Sequence, residues 1–154
     1  MCSSDLDELR LSTMPTAFGE KFVMRIFDPE TLVKEYRELG FGEDDERKWK
    51  QMVGQPHGIV LVTGPTGSGK TTTLYSTLKS LATSDVNVCT VEDPIEMVEP
   101  SFNQMQVQTA INVNFASGIR TLMRQDPDII MVGEIRDLET AEMAIQAEIG
   151  RAHV

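Results

Sequence analysis

The chain has 154 residues, with 14 Lys and Arg against 24 Asp and Glu and a formal charge of −10. It has the length of one domain, can bury a real core, and leaves room only for part of a second domain. The acidic balance repels a phosphate backbone, so no nucleic-acid partner is expected. The sequence shows neither an apolar run able to span a bilayer nor a secretory-type leader, and it reads as cytoplasmic. Its two cysteines, Cys2 and Cys89, cannot assemble a disulfide framework or a cysteine metal site, and Cys89, inside an apolar run, reads as a core residue.

The two ends stand apart from the rest. MCSSDL can be encoded by GTG TGC TCT TCC GAT CT and EIGRAHV by GAG ATC GGA AGA GCA CAC GTC. Apart from the outermost bases these strings are reverse complements, and they match a common sequencing adapter. Residues 1–6 and 149–154 are therefore expected to be adapter-derived tails, and 7–147 an internal fragment of a longer reading frame.

Between Leu9 and Ile26 apolar and polar residues alternate around the turn-rich stretch Pro15 to Gly19, which predicts two paired strands at the edge of another domain. Pro29 to Gly40 predicts a short helix stopped by Gly40. From Gly42, GEDDERKWKQM predicts a solvated helix anchored by Trp49. After Gly54 and Pro56, the β-branched run GIVLVTG predicts a strand beginning near His57, then a polar loop and the helix TTTLYSTLKSLA. VNVCTV and DIIMV predict two more strands, ending in EDP and GE, with helices over FASGIRTLMRQ and LETAEMAIQA. This alternation implies a parallel α/β sheet. FNQMQVQTAINVNF, from Phe102 to Phe115, predicts additional short antiparallel strands.

The segment Gly64-Pro-Thr-Gly-Ser-Gly-Lys-Thr71 satisfies G-x-x-x-x-G-K-[ST] between a predicted strand and a predicted helix, the context that gives the pattern meaning. Gly64, Gly67 and Gly69 let backbone N–H groups converge on phosphate oxygens, with Pro65, Thr66 and Ser68 completing the cradle at a helix N-terminus. Lys70 reaches the β- and γ-phosphates, and the Thr71 hydroxyl supplies one ligand to Mg2+. Thr72 and Thr73 fall on the helix-interior or sugar side.

Hydrolysis needs a carboxylate near the γ-phosphate, and Glu134, delivered to a strand's carboxyl end by Asp128 to Gly133, is the candidate. The competing reading is a carboxylate that stabilises a helix N-terminus, and it applies more strongly to Asp137. Glu92, Asp93 and Glu96 in VEDPIE form a second acidic cluster where Pro94 turns the chain. From spacing alone they are equally an active-site set or a solvated turn. Arg120 and Arg124, one helical turn apart, present either a subunit boundary or ordinary helix charge.

GPTGSGKTTTLY, VEDPIE and LMRQDPDIIMVGEIRDLETAEMAIQA, in that order, resemble the ATPase family of bacterial type II secretion and type IV pilus assembly, across nearly all of 7–147. The resemblance implies a partial RecA-like P-loop domain over 58–148. It also implies a linker helix over 42–57 and, over 7–41, the end of a small α+β second N-terminal domain. Gly133-Glu134 replaces the Asp-Glu of a usual Walker B strand. This marks the family and implies that Glu134 meets the metal indirectly, through water, with the VEDPIE acids sharing the task. Glu92 and Glu96 are implied as active-site residues.

Within LRLSTMPTAFGEKFVMRIFD the resemblance implies that Arg10 and Arg25 approach the γ-phosphate when domains close, the alternative being plain strand arginines. It further implies ATP, Mg2+, a homo-hexamer, and inner-membrane platform and cytoplasmic adaptor partners that hold the protein at the inner membrane. The family's histidine-containing segment lies beyond this chain, which is therefore expected to hydrolyse ATP poorly by itself. Two other classes compete with an assembly motor. One is a DNA-uptake NTPase, which the acidic balance and few aromatics disfavour. The other is a nucleotide-binding module without hydrolysis. A retraction motor is disfavoured by the extended upstream segment.

Overall fold

The alternation between Leu9 and Ile26 folds as an antiparallel hairpin of β1 (Glu8–Thr16) and β2 (Gly19–Phe27), in a computed structural model that describes residues 8–27 and 33–151. The Thr16 hydroxyl donates to the Gly19 carbonyl at 2.7 Å and closes the turn. Leu11 pairs with Met24 and Thr13 with Phe22, so these side chains share one face of the ribbon. Leu11, Phe22 and Met24 are all exposed there.

The helix expected over Pro29 to Gly40 is not found: residues 36–40 form turns, and 29–32 lie outside the described residues. The 36–41 stretch is instead tied down by aromatic packing. Phe41 meets both Tyr36 and Trp49 edge-on, at 5.6 and 5.9 Å between ring centres. The charged segment forms α1 (Glu43–Val53), with four acids in its first turn and Lys50 in its last, in accord with the helix dipole. Trp49 anchors α1 as expected, donating from Nε1 to Thr77 Oγ1 at 3.1 Å on the next helix.

That helix, α2 (Lys70–Leu81), follows the glycine-rich loop. The segment before the loop departs from expectation. Residues 58–64 form no strand, and His57 lies in a bend rather than at a strand start. A strand requires a hydrogen-bonded neighbour, and among the described residues none pairs with this run. A cleft of about 380 Å³, lined by Gly58, Ile59 and Val60 and by Ile129 to Val132, borders it.

The sheet has three parallel strands in the order β4-β3-β5: β3 (Val88–Glu92), β4 (Phe102–Gln106) and β5 (Ile129–Val132). The expected antiparallel hairpin over Phe102 to Phe115 is thereby corrected. Its first half is a parallel edge strand, and the antiparallel pairing shrinks to one bridge, Gln108 with Val113, around a 3-10 turn. Periodicity cannot tell parallel from antiparallel pairing; only the partner strand decides it.

Side chains alternate across the sheet. Val88, Met131 and Phe102 pack with Tyr75 and Leu78 of α2. Cys89 and Val91 pack on the opposite face with Ile119 of α3 (Phe115–Leu122) and with Met143 and Ala147 of α4 (Leu138–Arg151). The result is a three-layer α/β/α core, as the strand-helix alternation predicts, and Cys89 is fully buried in it. Helix α3 stops earlier than its pattern suggests, leaving Arg124 in the turn beyond it, while Arg120 stays on the helix and exposed. Helix α4 continues through Ile149 to Arg151.

Gly118 marks the closest approach of α3 to β3: a Cβ there would stand 2.7 Å from Val91 Cγ2. A Gly118→Ala variant is expected to lose about 1–3 kcal/mol of stability despite its better helix propensity, because Val91 is too stiff and too buried to yield. Chemical denaturation at equilibrium measures it; a variant at least as stable as the parent would contradict this packing.

Candidate phosphate-binding site

The loop before α2 takes its shape from its glycines. Gly67 and Gly69 have φ of 79° and 88°, a region that side chains with a Cβ avoid. Ser68 N–H donates back to the Pro65 carbonyl at 3.3 Å, closing a turn with Thr66 and Gly67 at its tip. Lys70 folds over this turn, its Nζ donating to the carbonyls of Gly64 and Pro65, each at 2.8 Å. An ammonium group is thus already held at the mouth of the loop.

Helix α2 begins at Gly69 with no side-chain cap and no acid in its first turn. Asn114 caps α3 through a reciprocal pair of hydrogen bonds with Ser117, and the Asp137 carboxylate accepts from Thr140 N–H at 2.7 Å at the start of α4. That bond, chiefly, holds the Asp137 carboxyl below its ordinary pKa and confirms it as a capping acid. The start of α2 therefore combines a positive dipole end with Lys70 and carries no acid in its first turn, which suits a phosphate chain. Thr71 is exposed in the same first turn, and Thr72 is half-buried behind it. Among the described residues no group of three His, Cys, Asp or Glu converges to hold a metal ion, so a divalent ion would share its ligands with phosphate oxygens and water.

The carboxyl ends of β3 and β5 lie side by side. Val91 pairs with Val132, and Gly133 N–H donates to the Val91 carbonyl at 2.8 Å. A Cβ on Gly133 would come 3.3 Å from Glu92 Cα, so this glycine lets the two acidic ends meet. Glu134 follows directly, partly exposed, with Arg136 Nη2 at 2.8 Å. A pair this exposed is weak and readily exchanged.

The VEDPIE acids separate. Glu92 is 3% exposed, and its carboxylate accepts from Tyr75 Oη at 2.6 Å, Thr90 Oγ1 at 2.5 Å and Gln104 Nε2 at 3.3 Å. Asp93 is exposed and Glu96 half-buried in the turn that follows. Burial, and then the Glu92 carboxylate, push the Tyr75 phenol above its ordinary pKa, so it stays a donor. Tyr75 lies five residues beyond Lys70, about 8 Å along the helix axis, which ties the phosphate loop to the acidic edge. Tyr75 and Gln104 are site residues that motif reading passes over. Their signal was a polar Gln on the face of β4 that carries buried Phe102, and an aromatic hydroxyl on the buried face of α2.

Arg10 and Arg25 stand opposite each other in the hairpin register. No helix among the described residues is long and apolar enough to cross a membrane.

A glycine-rich loop opening a helix over a parallel sheet, with acids at the strand ends, is the arrangement of a P-loop nucleotide-binding domain. The chain belongs to the type II/IV secretion system protein family, whose model matches residues 3–150 and so reaches into both terminal tails. It is 70% identical over 142 residues to the type IV pilus assembly ATPase TfpB of Acinetobacter baylyi, covering 92% of this chain and 24% of that protein. It is 56% identical over 142 residues to type II secretion system protein E of Xanthomonas campestris, covering 92% of this chain and 25% of that protein. The chain thus spans about a quarter of the length of these relatives. Among solved structures, the pilus retraction motor PilT with bound ADP superposes with a TM-score of 0.76 at 32% identity, over 96% of this chain and 43% of that one.

Proposed function

We propose that this chain carries the nucleotide-handling centre of a magnesium-dependent ATPase that works as a homo-hexameric motor in pilus or pseudopilus assembly. The observation that carries the reading is the uncapped start of α2, with Lys70 folded over its loop, linked through Tyr75 to a sheet edge that bears Glu92 and Glu134. Relatives named as assembly and secretion ATPases, and a related motor solved with ADP, supply the nucleotide.

In this reading the loop amides from Gly64 to Gly69 and Lys70 bind the phosphates. Glu134 orients the attacking water and accepts its proton, and Glu96 is the second candidate acid of the site. Thr71 would be the protein ligand of magnesium, with Glu134 acting on it through water. When bound with ATP, the ion neutralises charge on the phosphate oxygens. Arg10 and Arg25, opposite each other in the hairpin register, would reach the γ-phosphate on domain closure. The exposed apolar face of the hairpin fits burial against the rest of a second N-terminal domain whose end is 7–41, before a linker helix over 42–57 and a partial ATPase domain over 58–148. Platform and adaptor proteins would hold the motor, itself cytoplasmic, at the inner membrane. Relatives of both branches match, pilus assembly ATPases at 70% and 51% identity and a type II secretion protein at 56%, and pilin or secretion genes beside the reading frame would name the branch.

The test uses this chain and its reading frame extended to the length of the relatives. The chain is expected to bind a fluorescent ADP analogue, and the extended protein to hydrolyse ATP only with Mg2+ and to sediment as a hexamer. Binding without turnover in the extended protein would leave a nucleotide-binding module and sink the motor reading.

A further inference from the structure

Two glutamates of VEDPIE, four residues apart, have different surroundings, and the difference points to different roles. Glu92 is closed in by Tyr75, Thr90 and Gln104, and among the described residues no Lys, Arg or His forms an ion pair with it. A carboxylate committed to three donors inside the fold has little capacity left for water or metal. Its partners lie on three separate elements: Tyr75 on α2, Thr90 on β3 and Gln104 on β4. The same partners grip the turn after Glu92. Gln104 Nε2 donates to the Met97 carbonyl at 2.8 Å, and Tyr75 Oη lies 3.2 Å from that carbonyl. Gln104 Oε1 accepts from Glu99 N–H at 2.7 Å, which fixes the orientation of the amide. Met97 directly follows Glu96.

We infer that Glu92 is a positioning residue: with Tyr75 and Gln104 it locks the turn bearing Glu96 to the helix that begins at Lys70, and so sets the distance between the acids and the phosphates. The inference deepens the proposed ATPase reading and rests on it. Tyr75 transmits the position of the phosphate loop because it sits on the same rigid helix as Lys70. Gln104 transmits the position of the turn because it holds the backbone on both sides of Val98.

The test compares Tyr75→Phe, Glu92→Gln and the double variant in the extended protein, with Glu134→Gln as the benchmark for a residue at the reacting atoms. Loss of register by a fraction of an ångström is expected to lower kcat about 10- to 100-fold in either single variant, with KM for ATP changed less than about threefold. The double variant should be no slower than the worse single, since both cut one linkage. Amide hydrogen exchange over 93–98 should quicken in Tyr75→Phe, which keeps the ring and its packing and loses only the hydroxyl.

Glu92→Gln as slow as Glu134→Gln beside a near-normal Tyr75→Phe would overturn the inference and move Glu92 to the phosphate itself. A lower melting temperature with kcat untouched in both would overturn it in favour of plain structural support. The exchange measurement needs no turnover. If the unsubstituted protein fails to hydrolyse ATP, the motor reading falls alone, and unchanged exchange over 93–98 in Tyr75→Phe still decides against the linkage.

Discussion

Replacing Glu134 by Gln in the extended protein is expected to lower ATP turnover about 10³-fold while nucleotide affinity stays within about threefold, the pattern of an interaction made in the transition state. The structure gives the physical basis. Glu134 follows a strand whose register with β3 is set by the Gly133 to Val91 hydrogen bond, so its backbone is held by the buried core rather than by a loose loop. Its carboxylate is partly exposed and pairs with exposed Arg136, a weak contact that a water can replace. Glutamine keeps the size and the hydrogen bonding and loses the charge and the basicity. Turnover measured by phosphate release, beside titration with a fluorescent ADP analogue, separates the two effects. A parallel loss of binding and turnover would instead make Glu134 a ground-state binding or folding residue.

Lys70→Ala is expected to act on the other side of that division. Two charge-assisted hydrogen bonds to phosphate oxygens, at about 1.5 kcal/mol each, correspond to roughly 100-fold weaker nucleotide binding. Alanine favours helix, so α2 should persist, and circular dichroism of the variant should match the parent. In the structure Lys70 spends its hydrogen bonds on the carbonyls of Gly64 and Pro65, exposed groups that water satisfies once the ammonium is gone. The effect should shrink as salt is added, since the site opens to solvent. Unchanged ADP affinity in Lys70→Ala would remove the phosphate role from this loop.

Most of the core was legible in one dimension. The β-branched runs before EDP and GE, and the helical patterns after them, appear as β3, β5, α3 and α4, because burial on both faces of a parallel strand leaves an unbroken apolar run. The hairpin was legible through its period of two. The pattern over residues 58–64 is equally apolar and forms no strand, because a strand is a property of two segments and, among the described residues, no second one pairs with it. The parallel pairing of Phe102 to Gln106 was hidden for the same reason, since an alternating pattern does not name its neighbour.

What the sequence by itself determined is the glycine-rich loop over 64–71, whose shape depends on local backbone freedom, and, from that loop together with VEDPIE and GEIRD, the family. What the tertiary structure alone decided is the different surroundings of the acids. Glu92 and Glu96 look alike in VEDPIE, yet Tyr75, Thr90 and Gln104 reach Glu92 from 17 residues before it, two before it and 12 after it. Burying a carboxylate costs so much that it occurs only where such donors converge, and convergence of distant donors is a fact of packing that no local pattern records.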